Sequence, residues 1–276
     1  MTPPGSDLEA MEIRLLLEAI YLHHGYDFRR YAAASLRRRL WKRAIAEGVS
    51  TISGLQERVL HDPVAMQGLL LDLSVTVTTM FRDPTFYVAL REKVFPILRT
   101  YPFVRIWNAG CSTGEEVHSI AILLQEEGLY ERARIYATDI NEGVLDGARA
   151  ATIPLERMKA FTQNYIRAGG QRAFSEYYDV ERRHARLRRD LLDNVVFAQH
   201  NLVSDGPFNQ FHLIVCRNVM IYFNKELQEQ VHGLLYESLS PLGLLALGHK
   251  ESLRFLAQEE LYVALDEREK IYRRMS

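Results

Sequence analysis

The 276-residue chain has two cysteines, Cys111 and Cys216, set far apart with no CxxC pair. A disulfide scaffold is therefore excluded as the basis of the fold, and no Cys/His spacing suits a structural zinc, so no metal is expected. Charge of one sign is also missing: 34 Lys+Arg against 35 Asp+Glu leave a formal net charge of -1. No global field draws the chain to nucleic acid or anionic lipid, and an electrostatic partner has to be met by a local patch. No apolar run reaches the roughly 18 residues that a membrane span needs, so a membrane-inserted protein is not expected. The opening MTPPGSDLEAMEI has no basic stretch followed by an apolar one, so a secretory signal is not expected and a cytoplasmic location is. What is present, 47% hydrophobic and 25% charged residues, fits a globular chain of one large or two modest domains.

Residues 1–74 carry helix signals and no convincing strand. Ser6 with Glu9 reads as a capping box ahead of the periodic Leu8, Met11 and Leu15. Asp27 can cap a second helix with Ala33, Leu36, Leu40 and Ala44 on one face before Gly48; Ser53 with Gln56 repeats the box, and Asp62-Pro63 opens another helix. This predicts a small all-helical N-terminal domain, followed over 75–276 by a sheet domain. SVTVT (74–78) breaks the helical pattern, and the helix begun at Asp83-Pro84 must bend or end at Pro96. From Val104 onward short apolar runs alternate with helical ones: VRIWNA, RIYATD, VVFAQH, HLIVCR and LLALG as strands, then LYVAL and IYRRM. The alternation predicts an α/β fold with a mainly parallel sheet. The Arg-rich stretch within 155–194 fits that scheme poorly and reads as an insertion.

The loop after the first sheet strand, NAGCSTGEE (108–116), has small residues that let backbone approach a ligand, although it lacks GxGxxG and a tight strand-to-helix turn explains it equally well. The next strand ends in Asp139, where doubly wound folds place the acid that grasps a ribose diol; an Asp at a helix N-cap is the plainer alternative. Together they point to an adenosine cofactor at the strand ends. Glu115 and Glu116 in the first helical turn would repel a pyrophosphate and suit an ammonium-bearing methionine tail, unless they only complement the helix dipole. Cys216 completes an apolar strand and lacks the preceding proline of cytosine methyltransferases, and no [DN]PP[YFW] tetrad occurs, so nucleic-acid methylation is disfavoured and no nucleic-acid partner is expected.

TTMFRDPTFY (78–87), GCSTGEE, ATDINEGVLDGAR, Asn201-Leu202, CRNVMIYF (216–223) and GHKESL (248–253), in this order and spacing, resemble the CheR-type chemotaxis receptor methyltransferases over nearly the whole chain. The resemblance implies a Rossmann-like class I methyltransferase domain that moves the methyl of S-adenosylmethionine onto receptor glutamate carboxylates, forming methyl esters in sensory adaptation. It also implies that Thr76, Thr78, Arg82, Glu116, Asp139, Asn201, Leu202, Arg217 and Asn218 hold the cofactor, and that Arg82 and Tyr222 stand beside the transferred methyl. A small antiparallel subdomain, which docks a receptor C-terminal pentapeptide in some members, would correspond to part of 155–194. The implied partner is the cytoplasmic helical domain of a chemoreceptor, engaged by a monomer.

The chemistry is consistent with these residue types. A glutamate with a reference pKa of about 4.3 is already an ionised nucleophile at neutral pH, so no general base is needed, and a guanidinium fork with a hydroxyl suffices to aim it. Taken alone, Arg82 could equally be an ion pair near Asp83 and Tyr222 a half-buried core aromatic. Arg29, Arg30, Arg37, Arg38, Arg39, Lys42 and Arg43 lie between Phe28 and Ala46 without an acidic residue; Arg30, Arg37, Arg38 and Lys42 fall opposite the apolar stripe. That face is either solvated or the dock for a Glu-rich receptor helix, and the resemblance favours docking. A second cluster runs from Arg182 to Arg189. The alternatives are a small-molecule methyltransferase and a non-catalytic S-adenosylmethionine sensor or adaptor.

Overall fold

A computed structural model describes residues 7–74, 78–254 and 256–275; Ser6 and Thr76 lie outside them. The chain divides into two compact units, one of residues 1–76 with 222–230 and one of 77–221 with 231–276.

The first unit is built on α1 (Asp7–His24), α2 (Ala33–Ala46), α3 (Ile52–His61) and α4 (Pro63–Leu73). Asp62 caps α4 as expected, accepting from the Val64 N–H at 2.9 Å with Pro63 in the first turn. The other helix starts differ from the sequence reading. Asp27 does not cap α2, which begins after Ala32 without a side-chain cap; its carboxylate is taken by Arg29 instead. Thr51, not Ser53, caps α3, because the Ser53 hydroxyl donates to Glu12 at 2.6 Å. The buried face of α1 is also displaced: Leu8, Met11 and Leu15 are exposed, while Glu9, Glu12, Leu16, Leu17 and Ile20 are buried. Two acids can take core-facing positions because they are met there, Glu9 by Arg37 Nε (2.7 Å) and Trp41 Nε1 (2.5 Å), and Glu12 by Ser53.

The second unit begins with α5 (Pro84–Ala89), which widens into a π turn over Leu90–Val94 and closes as α6 (Phe95–Leu98). Pro96 explains the widening, since it has no N–H to donate and its ring crowds the carbonyl four residues back. Next come β1 (Val104–Ala109), α7 (Glu115–Glu126), β2 (Ala133–Asp139), α8 (Glu142–Ala150), β3 (Thr152–Pro154) and α9 (Leu155–Arg167). The chain continues through β4 (Tyr178–Glu181), β5 (His184–Leu187), β6 (Val195–Gln199) and β7 (Phe211–Cys216) to α10 (Lys225–Ser238), whose start clusters with the helical unit. It ends in β8 (Leu239–Leu247), β9 (Tyr262–Asp266) and β10 (Ile271–Arg274).

Seven strands form one sheet in the order β6-β2-β1-β7-β8-β10-β9. The first five run parallel, and β10 and β9 add antiparallel at the edge. Strand order reverses between β1 and β7, and the carboxyl ends of the strands at such a reversal are where doubly wound sheets bind ligands. β3, β5 and β4 make a separate antiparallel sheet, so the expected insertion is real, although its first strand starts ahead of residue 155. The buried positions of β1 and β7 are mostly apolar, with Asn108 the polar residue at the end of β1, and Trp107, Phe208 and Phe211 pack as an aromatic cluster with ring centroids 5.1–5.3 Å apart.

Two buried histidines in the sheet unit make its stability depend on pH. Burial depresses His232 to about 4 and lowers His118, whose Nε2 sits 3.1 Å from the Ala148 carbonyl. The unfolded imidazole titrates near ~6.5, so between that value and the folded one the unfolded chain binds more protons and stability falls as pH falls. Each histidine can contribute up to about 1.4 kcal/mol per pH unit in that window. Thermal melts stepped from pH 7 to 5 should show a falling midpoint, and His232→Gln should have a shallower dependence.

Candidate active site

The loop after β1 is drawn tightly over the sheet edge. Gly110 and Cys111 both donate their N–H to the Thr138 carbonyl, at 2.8 and 2.9 Å. Gly110 has φ +74°, and a Cβ there would lie 2.5 Å from the Val219 side chain, so this turn accepts only glycine. Ser112, also left-handed at φ 52°, donates its N–H to Asp139 Oδ2 at 2.9 Å. The other carboxylate oxygen of Asp139 accepts from the Asn141 N–H at 3.1 Å. Burial raises the Asp139 carboxyl above its ordinary range, against the lowering effect of those N–H donors. The helix-cap alternative for Asp139 fails, because Asn141 caps α8.

The two acids that open α7 have different partners. Glu115 accepts from Arg157 Nη1 (2.9 Å) and the Thr113 hydroxyl (2.6 Å), and Arg157 also donates to the Thr78 carbonyl at 2.5 Å. Glu115 is thus neutralised within the fold and is not the bare charge that the first-turn reading expects. Glu116 accepts from Asn108 Nδ2 at 2.8 Å and from Arg217 Nη1 at 2.7 Å. The Arg217 side chain has no solvent exposure; Nη2 donates to Asp83 Oδ2 at 2.9 Å, and its guanidinium carbon sits 3.9 Å from the centre of the Phe86 ring. Burial works against its charge and the facing Glu116 overcomes that, so its pKa is raised.

Arg217, Glu116, Asp83 and the Arg82 carbonyl, 3.5 Å from Arg217 Nη1, therefore form one network. The Arg82 guanidinium has no ion-pair or hydrogen-bond partner among the described residues, so the ion pair near Asp83 belongs to Arg217 rather than Arg82. Asn201 uses its Oδ1 on the Val203 N–H at 3.0 Å and its own N–H on Asp205, with Leu202 buried beside it. Asn218 is left-handed at φ 61°. Thr78 contributes its carbonyl to the Arg157 contact, and Thr76 lies outside the described residues.

The sequence reading gave no individual role to Asn108, Ser112 or Glu251 and took Asp83 only as a helix start and a neighbour for Arg82, though all four organise this region. Asn108 Oδ1 and Ser112 Oγ, on either side of Gly110, are buried without a hydrogen-bond partner among the described residues. The loop therefore keeps unused polar capacity, which fits a ligand with its own hydroxyls and amino groups. The N–H groups of Gly110, Cys111 and Ser112 are already donated to Thr138 and Asp139. Cys111 and Cys216 are buried, and burial pushes both thiols well above their ordinary range, so neither is a ready thiolate. No cluster of metal-ligating side chains occurs among the described residues.

Tyr222 belongs to the helical unit. Its carbonyl accepts from the Ala32 N–H at 2.8 Å, and its ring lies under Arg39, 4.3 Å from the guanidinium carbon. Arg39 is buried and donates to the Leu73 carbonyl at 2.7 Å. On α2, Arg37 pairs with Glu9 at 2.7 Å and Lys42 with Asp72 at 2.7 Å, whereas the side chains of Arg38 and of Arg30, which lies in the turn before α2 and not on the helix as expected, have no ion-pair or hydrogen-bond partner among the described residues. Two of the four expected docking cations are thus already paired within the helical unit. In the insertion, Arg186 pairs with Glu181 and Arg188 with Asp190.

The chain matches the family described as CheR methyltransferase, SAM binding domain, over residues 76–269, and the CheR methyltransferase all-alpha domain over residues 11–74. It is 49% identical over 264 residues to Cher3 of Pseudomonas putida, assigned as a methyltransferase, covering 96% of this chain and 97% of that one. It is 34% identical over 200 residues to the chemotaxis protein methyltransferase of Salmonella typhimurium, covering 70% and 66% of the two chains. A third relative, chemotaxis protein methyltransferase 2 of Pseudomonas aeruginosa, is 34% identical over 201 residues, covering 70% and 69%. With both family domains matched along the chain, it belongs to the CheR methyltransferase family and is an S-adenosylmethionine-dependent methyltransferase.

Proposed function

We propose that this methyltransferase esterifies glutamate side chains on the cytoplasmic helical domain of chemoreceptors. The observation that carries the reading is Arg82: its guanidinium has no ion-pair or hydrogen-bond partner among the described residues, while its carbonyl lies 3.5 Å from Arg217 in the network with Glu116 and Asp83. A free planar fork of donors suits an incoming carboxylate. S-adenosylmethionine supplies a methyl on a sulfonium, open to in-line displacement. The acceptor carboxylate is ionised at neutral pH and attacks without a base, so the work of Arg82 and Tyr222 is orientation. Relatives named as chemotaxis methyltransferases support the partner, and family membership supports the cofactor.

In this reading Thr78, Arg82, Glu116, Asp139, Asn201, Leu202, Arg217 and Asn218 border the cofactor, with Asp139 on the ribose hydroxyls. Asp139→Ala should weaken S-adenosylhomocysteine by about 1.5–3 kcal/mol, the scale of hydrogen bonds to a charged group. Calorimetry on the variant, with a melt to establish folding, measures this; unchanged affinity removes Asp139 from the site.

Incubation with methyl-labelled cofactor and receptor-bearing membranes should place label on receptor protein that leaves as methanol in base. Tyr222→Phe should slow that transfer while S-adenosylhomocysteine affinity stays near wild type. Label that is stable to base would mean a different acceptor atom, and an equal loss of cofactor affinity would mean that Tyr222 does not aim the acceptor.

The pairing on α2 sharpens the docking reading to Arg30 and Arg38. Replacing both with Glu should raise the receptor KM and leave cofactor affinity unchanged, and the wild-type receptor interaction should weaken with salt over a Debye length of about 8–10 Å. Reversal of Arg37 or Lys42 should lower stability by more than the ~0–1 kcal/mol of an exposed pair, because the new carboxylate would face the buried Glu9 or the mostly buried Asp72 side chain. Methylation rate against receptor concentration at two ionic strengths separates the two outcomes.

A further inference from the structure

Glu251 follows β8 and is 5% exposed. Its carboxylate accepts four backbone N–H bonds. Oε2 takes those of Gly248 (2.7 Å) and Asn218 (2.9 Å), and Oε1 takes those of Val219 (2.9 Å) and Met220 (2.8 Å). Three of the donors are consecutive residues of the turn that leaves β7 and runs into the short helical turn Met220–Tyr222. Amides at such a start have no carbonyl partner of their own, and an ionised carboxylate is the strongest acceptor a side chain can offer them. The same turn holds Asn218 at φ 61°, a conformation that a non-glycine residue keeps only when its surroundings enforce it. Gly248 closes the arrangement from β8: a Cβ there would lie 2.7 Å from Glu251 Oε2 and 2.9 Å from the Asn218 N. Burial alone raises the cost of the Glu251 charge, and the four N–H bonds oppose it.

We propose that Glu251 is a positioning residue for cofactor binding: without touching the ligand, it clamps the Asn218–Met220 turn and so fixes Asn218 and the neighbouring Arg217 at the carboxyl end of β7. This rests on the reading that Arg217 and Asn218 border the cofactor. It assigns to Glu251 a role in cofactor affinity rather than only in stability. Glu251→Gln keeps the size but turns an amide NH2 toward two N–H donors, so half of the clamp is lost.

The test uses the full chain. In Glu251→Gln, S-adenosylhomocysteine affinity by calorimetry should fall by about 10- to 100-fold, the range that loss of hydrogen bonds to a charged group implies. The cofactor KM should rise with the receptor KM unchanged, and amide deuteration should quicken in the peptide containing 217–222 while the β1 and β2 peptides stay protected. Gly248→Ala, which displaces the carboxylate from the other side, should give the same pattern. Unchanged cofactor affinity in a folded Glu251→Gln variant overturns the proposal, as does a general loss of protection with no preferential change at 217–222. If both variants fail to fold, exchange in the wild type decides. Slow exchange at Asn218, Val219 and Met220 before ligand is added supports the clamp, and exchange as fast as in exposed loops overturns it. Asn218→Ala separates the two levels: if it weakens S-adenosylhomocysteine and Glu251→Gln does not, only the clamp falls, and if neither does, the assignment of Asn218 to the site falls too.

Discussion

A guanidinium shut away from water keeps its charge only if carboxylates face it, and the sheet unit is organised around one such group. Arg217 stands at the end of β7, between Glu116 in the first turn of α7 and Asp83 ahead of α5, against the Phe86 ring. Removing either carboxylate would leave a buried charge short of a partner, a far larger penalty than losing a surface pair. The network therefore ties together three segments distant in sequence: the approach to α5, the loop after β1 and the end of β7. It does so at the point where strand order reverses and a ligand crevice must open.

That constraint decides which groups near the crevice remain available. Glu115 is held by Arg157 and Thr113, Glu116 by Asn108 and Arg217, and the N–H groups of Gly110, Cys111 and Ser112 by Thr138 and Asp139. Among the described residues, what is left over includes the Arg82 guanidinium and the buried atoms Asn108 Oδ1, Ser112 Oγ and Arg217 Nε. These leftovers suit a hydroxyl-bearing ligand and an incoming carboxylate. Positioning rather than proton transfer is the chemistry it supports, in keeping with buried thiols whose pKa is raised.

The helical unit shows the same economy of charge. Its basic helix looks uniformly cationic in sequence, yet Arg37, Lys42 and Arg43 are committed to Glu9, Asp72 and Glu47, and Arg39 covers the Tyr222 ring while donating to the Leu73 carbonyl. Only part of a charge run is therefore free to meet a partner, and which part depends on the acids that other helices bring to it.

By itself, the sequence determined the features that depend on neighbours a few residues away. The alternation of short apolar runs with helical ones from Val104 onward marked β1 to the residue and β2 within one residue. Asp62-Pro63 announced α4 because an N-cap and a first-turn proline act through the adjacent backbone. The position of Asp139 at a strand end and of Gly110 in a tight turn was legible for the same reason, and the motifs supplied the family. Tertiary structure alone decided which face of α1 is buried, since Glu9 and Glu12 displace Leu8, Met11 and Leu15 only because Arg37, Trp41 and Ser53 arrive from other helices. It also decided that Arg157 neutralises Glu115, that Asp72 takes Lys42, and that Glu251 reaches back to Asn218, Val219 and Met220. Periodicity encodes the direction of a side chain within its own element. The identity of a buried charge's partner depends on where the chain returns after tens of residues, and the desolvation penalty that makes the pairing obligatory arises only once the fold has closed around it.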